Sequence, residues 1–386
     1  MCRFRRNFIA LILLFTASNT AVFGEIKVIS LKEARPKLAE AGLEVIEGQT
    51  QVIIPVEEAC EEIGHVGKIV RFGNGDLLVS CRAAQMRSVD GGKTWQKVKK
   101  HSAFRHYATN LSNGETIQWR GRVPKADDNN KTSQDGFFEF SAVMIRTSDN
   151  GLTEQQVDSK IYLPEGLKIT NMYHARIIEL ADGSLLFSTY GRFHKDAPGY
   201  AYGSFRKLKD RTFVMRSTDM GKTWRYLSTV AFDLWTKPRV LGFDEPEMVM
   251  LSDGLLLCFL RADVEWMDWS GPMYLSFSND NGMSWCHADI ITEFGVCPYA
   301  KVLENGVIAV VYGRPGSNLM FSADKGQTWV GHFRFFNGPA AADAGNYCAL
   351  EEVAPNKLLV VYGRKVSEGS QAGEVVGTYF TVKRKK

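Results

Sequence analysis

A chain of 386 residues that is 45% hydrophobic and 23% charged can bury a large core, and is long for one ordinary domain. Its formal net charge of +4 falls to about +1 without three arginines near the start, so charge gives no support to nucleic acid or an anionic membrane as partner. The seven histidines and seven cysteines show no metal-ligand spacing and no glycine-rich nucleotide loop is present, so the sequence implies no metal and no organic cofactor.

Residues 1–24 have the layout of a secretory signal peptide: Arg3, Arg5 and Arg6, an apolar run from Phe8 to Phe15, then small residues to Gly24. The run is shorter than the roughly 20 residues that span a bilayer, so the expectation is cleavage near Gly24, a secreted or periplasmic protein and no membrane insertion afterwards. Of the cysteines then remaining (Cys60, Cys81, Cys258, Cys286, Cys297 and Cys348), Cys81 and Cys258 sit in apolar strands and read as buried thiols. Residues 25–64 form an N-terminal segment, with a helix candidate from Ser30 to Gly42 and a strand candidate from Val45 to Val56. From residue 65 to 386 a repeat takes over.

The repeat is a β-hairpin, best seen from Asp244 to Arg261. Two apolar runs, Met248 to Leu251 and Leu255 to Leu260, flank a Ser-Asp-Gly turn, which predicts antiparallel strands buried on both faces. A turn at one end brings Glu245 and Arg261 together at the other. Equivalent turns centre on Gly75, Gly114, Gly183, Gly254, Gly306 and Asn356, giving six units of unequal length. Lys125 to Ser133 and Lys195 to Lys209 read as loops between strands.

Four units continue into Ser-x-Asp-x-Gly-x-Thr/Ser-Trp: Ser88 to Trp95, Ser217 to Trp224, Ser278 to Trp285 and Ser322 to Trp329. A fifth copy, Thr147 to Glu154, has Glu154 in place of Trp. In such a box the Asp closes a turn onto backbone N–H groups, the Gly supplies positive φ, and the Trp packs between sheets. These are folding elements rather than substrate contacts. On these boxes the sequence from about residue 65 to 384 resembles the sialidase superfamily. That resemblance implies an all-β fold, a six-bladed β-propeller of the sialidase type, with the Val45 to Val56 strand closing the ring. Radial repetition also leaves no long exposed sheet edge.

Aligned on their turns, the units place polar-capable residues before the first strand (His65, Arg105, His106, Tyr173, His174, Glu245, Glu247, Tyr299 and Tyr347). An arginine follows the second strand in every unit: Arg82, Arg120, Arg192, Arg261, Arg314 and Arg364. Ring closure would gather both sets at one mouth, where guanidinium groups suit a carboxylate. The expected partner is therefore an acidic glycan, held by Arg82, Arg192, Arg261, Arg314, Arg364 and Tyr173. Oligomeric state is not legible.

Carried over residue by residue, the resemblance implies Tyr347 as nucleophile, Glu245 as its base, and Arg261 and Arg314 on the substrate carboxylate. A neutral Tyr with a Glu beside it suits a sugar whose anomeric carbon carries a carboxylate, since an anionic nucleophile would be repelled. Two features depart from the family. His65-Val66-Gly67 replaces its Arg-Ile-Pro opening, and the loop from Ala83 to Arg87 lacks its acid/base Asp. The proton must then come from Glu247, Asp263, Asp135, His65 or His174. The same mouth, with His65, His174 and Tyr173, also fits β-elimination from a uronate, or glycan binding without turnover.

Overall fold

The computed structural model describes residues 29–59, 68–105, 107–126, 136–172, 175–193, 209–232, 240–264, 271–314, 316–337, 347–365 and 373–385. Helix α1 (Leu31–Glu40) opens the described chain and leads into strand β1 (Leu43–Ile54). Ser30 caps the helix reciprocally: its Oγ accepts from the Glu33 N–H at 3.3 Å, and the Glu33 carboxylate accepts from the Ser30 N–H at 2.7 Å. Leu31, Ala34 and Leu38 form the buried face of α1, which lies against the outer strand of the fifth sheet.

Six four-stranded units follow. The first holds β2 (Lys68–Arg71), β3 (Leu77–Ser80), β4 (Gln85–Ser88) and β5 (Gln96–Lys97). The second holds β6 (Thr109–Asn110), β7 (Thr116–Ala126), β8 (Phe137–Thr147) and β9 (Gln155–Pro164). Strand β10 (Leu167–Asn171) leads to the third, with β11 (Ile177–Glu179), β12 (Leu185–Phe193), β13 (Asp210–Ser217) and β14 (Thr223–Ala231). The fourth comprises β15 (Val240–Met250), β16 (Leu256–Val264), β17 (Met273–Ser278) and β18 (Asp289–Thr292). The fifth comprises β19 (Val296–Val302), β20 (Ile308–Gly313), β21 (Ser317–Ser322) and β22 (Val330–Phe336). The sixth has β23 (Ala349–Ala354), β24 (Lys357–Lys365) and β25 (Gly373–Arg384). Its fourth strand is β1, antiparallel to β25 from Leu43 opposite Arg384 to Ile54 opposite Val375. The fold is a six-bladed β-propeller of the sialidase type, and its first and last strands share one blade.

Each turn residue between the first two strands of a blade has positive φ, from 60° at Asn356 to 91° at Gly75. The Ser-x-Asp-x-Gly turns make one pattern of bonds. In the third blade, Asp219 accepts from the Thr223 N–H at 2.9 Å and from its hydroxyl at 2.6 Å, while the Gly221 N–H donates to Ser217 at 2.8 Å. The copy with Glu154 bonds alike through Asp149, and Glu154 itself accepts from the Ala103 N–H at 2.8 Å. These turns lean on the preceding blade. A Cβ at Gly151 would stand 2.5 Å from the Phe72 ring of the first blade, and one at Gly92 would stand 2.6 Å from the Tyr379 hydroxyl of the sixth. The Gly92 carbonyl accepts from Gln51 of β1 at 2.7 Å and from Tyr379, which fastens the first blade to the last. Trp224 is fully buried, with ring centroids 5.4 Å from Trp119 and 4.8 Å from Phe187, between the second and third blades.

Strand β20 is buried along its whole length, β16 from Leu256 to Asp263 and β24 from Leu358 to Tyr362, as their continuous apolar runs require. One expected loop is partly strand: Lys125 and Ala126 continue β7, opposite Ser141 and Phe140. Cys81 and Cys258 are buried and unbridged. No helix among the described residues is long and apolar enough to cross a membrane.

Candidate active site

A register slip in the fourth blade builds the site. Asp244 stands opposite Arg261 and Glu247 opposite Phe259, so Glu245 and Pro246 together oppose Leu260 alone and β15 carries one extra residue. Consecutive strand residues ordinarily face opposite sides. Glu245 escapes this with φ of +42°, a costly conformation for a non-glycine residue before proline. Asp244 and Glu245 thereby turn toward one guanidinium. Arg261 Nη1 lies 2.9 Å from Glu245 Oε1, its Nη2 2.7 Å from Asp263 Oδ1, and its Nε 3.9 Å from Asp244 Oδ1.

The fifth blade repeats the device. Its ladder slips between Val296 and Tyr299, with Cys297 at φ +49° before Pro298, and the Cys297 N–H donates to Glu245 Oε2 at 3.0 Å. From the sixth blade, the Tyr347 hydroxyl donates to Glu245 Oε1 at 2.7 Å. Arg314, itself at φ +49°, holds its guanidinium carbon 5.7 Å from the Tyr347 ring centroid. Glu245 thus receives Tyr347, Arg261 and a backbone N–H from three blades. Burial, then the Glu245 charge, pushes the Tyr347 hydroxyl well above the ordinary tyrosine range, so it stays protonated and aimed at its acceptor.

A second layer lies beneath. Tyr107, Arg176, Glu247 and Tyr299 each stand seven residues before their turn, where Arg105, His174, Glu245, Cys297 and Tyr347 stand nine before. The Tyr107 and Tyr299 rings stack at 5.1 Å, and the Arg176 guanidinium lies 5.5 and 4.5 Å from them. Arg176 Nε pairs with Glu247 Oε1 at 2.8 Å, and the Ala300 N–H donates to the same oxygen at 3.3 Å. Burial pushes the Glu247 carboxyl up to about 7 against the pull of Arg176. This cluster is largely buried, with Arg176 13% exposed.

Several sequence expectations change accordingly. Glu247 is 0% exposed and paired with Arg176, so it does not present a proton to a ligand at the strand ends. Arg261 is 4% exposed and already pairs with Glu245 and Asp263, while the bulge adds the Asp244 carboxyl at 3.9 Å; it is not an open anion holder. Arg192 pairs with Asp210 at 3.1 Å and Arg364 with Glu374 at 2.7 Å, both on the next strand of their own blade. Arg82 is exposed, and Arg314 is the arginine found beside Tyr347. The segment where the family's acid was expected is shorter still, since Gln85 to Ser88 are strand β4. His65, Tyr173, His174 and Asp135 lie outside the described residues.

Sequence reasoning did not single out Asp244 or Arg176. Arg176 was within reach, since the seven-before-turn position holds aromatic or charged groups in four blades. Asp244 was hidden, because strict alternation points it away from Glu245. Burial, together with repulsion from Asp263, Glu245 and Asp210, holds the Asp244 carboxyl well above the usual carboxylate range, with Arg261 opposing. Among the described residues no cluster of His, Cys, Asp and Glu could hold a metal ion.

No protein-family model matches the chain, and no curated protein matches it by sequence. Solved structures match by fold. A protein of unknown function from Dyadobacter fermentans superposes with TM-score 0.61 at 16% identity, over 89% of this chain and 100% of its own. An α-L-arabinanase of Penicillium chrysogenum gives 0.56 at 16% identity over 86% and 98%, and a mutant NanB sialidase of Streptococcus pneumoniae gives 0.50 at 14% over 87% and 70%. At such identities the likeness is one of fold: this is the propeller that sialidases and the arabinanase share.

Proposed function

We propose that this protein is an exported exo-acting glycoside hydrolase for an acidic glycan, with Tyr347 as nucleophile and Glu245 as the base that takes its proton. The observation that carries this reading is the 2.7 Å hydrogen bond from the Tyr347 hydroxyl to Glu245, whose carboxylate is oriented by Arg261 and the Cys297 N–H. A phenol has a pKa of about 10 and attacks at neutral pH only as its proton leaves, so an aligned carboxylate acceptor is the needed partner. Fold-mates that are a sialidase and an arabinanase support hydrolysis of glycosides in general. Acidity of the sugar rests on narrower support: a neutral nucleophile tolerates an adjacent substrate carboxylate, and Arg314 lies beside that nucleophile. Export rests on the leader-like layout of residues 1–24.

The test is a product screen over sialosides, uronides, sulfated glycans and neutral arabinosides. Release of a free acidic sugar, lost in Tyr347→Phe, is the expected result. Release from arabinosides alone keeps the hydrolase and removes the acidic specificity. An unsaturated uronate absorbing in the ultraviolet, or binding without turnover, overturns the hydrolase itself.

A further inference from the structure

We propose that Asp244 is the proton donor to the leaving group, taking the place of the acid missing from the first blade. This rests on the hydrolase reading above.

The geometry singles out Asp244 from its neighbours. Asp263 and Glu245 are tied to Arg261 at 2.7 and 2.9 Å, and Glu247 is fully buried against Arg176. Asp244 stands off at 3.9 Å, and its Oδ1 takes no hydrogen bond. It lies across the Arg261 guanidinium from Glu245, so donor and base are separate groups on one frame. The charged and titratable groups facing it are Arg261 and Asp263 from β16, Glu245 from its own strand, Asp210 from β13 and Tyr190 from β12. Arg192 answers Asp210, which leaves Arg261 as the close cation for the other three carboxyls, and of those the group with the weakest hold on it keeps its proton. A carboxyl neutral at pH 7 is what a general acid needs.

The step balances. Tyr347 Oη bonds to the anomeric carbon while its proton passes to Glu245. The bond from that carbon to the glycosidic oxygen breaks, its electron pair stays on the oxygen, and Asp244 protonates it. In the second half the Asp244 carboxylate takes a proton from water, whose oxygen attacks the anomeric carbon; Tyr347 leaves and regains its proton from Glu245. Both carboxyls end as they began.

The experiment compares Asp244→Asn with wild type on two glycosides of the sugar that wild type releases fastest: the 4-methylumbelliferyl glycoside, whose leaving group needs little protonation, and an alkyl glycoside, which needs it fully. Asp244→Asn should lose about a hundredfold or more on the alkyl glycoside and far less in the first step on the aryl one. The alkaline fall of kcat/KM on the alkyl substrate should vanish with the carboxyl. The ratio of the two rates does not depend on the fraction folded, so a destabilised variant still decides. If Asp244→Asn yields no folded protein, Asp244→Glu, which keeps an acid, should hold the wild-type ratio, and a shifted ratio overturns the assignment. Equal losses on both substrates, or none, overturn the role of Asp244 while leaving the hydrolase standing. No turnover of any glycoside by wild type removes both.

Discussion

Arg261→Ala tests whether the centre of the mouth is a frame of paired charges or an open cradle for an anion. The guanidinium is 4% exposed and bonds Glu245 and Asp263 at 2.9 and 2.7 Å, with Asp244 at 3.9 Å. Removing it leaves three buried carboxyls without their cation, and breaking a buried pair from one side costs about 3–5 kcal/mol. With an unfolding entropy near 2.1 cal/mol/K per residue over roughly 320 propeller residues, Tm should fall by about 4–7 °C. The loss should depend on pH in one direction. Burial already holds the Asp244 carboxyl above its ordinary range with Arg261 opposing, and losing that cation raises it further, so the variant favours the protonated folded state more strongly and weakens more as pH rises. The deficit should therefore be larger at pH 8 than at pH 5. Thermal melts by circular dichroism at both pH values, beside acidic-glycan affinity per folded molecule, measure it. An unchanged Tm with affinity reduced tenfold or more would refute the frame and restore Arg261 as a substrate ligand.

Tyr347→Phe keeps the ring, loses about 1.5–3 kcal/mol of hydrogen bonding to a charged acceptor, and should cut turnover by about a thousandfold or more; kcat within tenfold of wild type removes Tyr347 as nucleophile. Glu247, raised by burial from 4.5 to about 7, gives a stabilising contribution that is whole below pH 4.5 and fades as pH climbs through about 7. Glu247→Gln should lack that fade, so parallel Tm-against-pH curves for the two proteins would contradict it. Asp219→Ala removes acceptors for the Thr223 N–H, the Thr223 hydroxyl and the Ser217 hydroxyl. It should cost about 1–3 kcal/mol in chemical denaturation with kcat unchanged per folded molecule, and a selective loss of kcat would place this turn in the site.

The propeller was legible because its determinants are local. A turn residue with positive φ, an apolar run on either side and a self-bonded box each announce themselves within about ten residues, and repetition supplies the rest. Even the copy with Glu154 keeps its turn through Asp149, since the bonds that matter need Asp, Thr and Gly but not Trp. Strand ends were harder. Lys125 and Ala126 look like loop residues, yet β7 holds them because β8 continues opposite, a partner the local sequence does not reveal.

The site was legible as a list of positions and not as a charge distribution. Hairpin geometry puts Glu245 beside Arg261, and the alignment on turns puts Tyr347 level with Glu245; both follow from counting residues. What counting omits is the bulge. Alternation directs Asp244 and Glu245 to opposite faces, but the Glu245-Pro246 and Cys297-Pro298 bulges turn adjacent residues inward and crowd carboxyls around one arginine. Six arginines in register therefore overstate the positive charge of the mouth: Arg192, Arg261 and Arg364 are answered by Asp210, by Glu245 with Asp263, and by Glu374. The pairing that occupies Arg261 also holds Glu245, the acceptor of the Tyr347 hydroxyl. A residue type repeated at one position marks where a ring converges, but its charge is set by the neighbours that convergence brings.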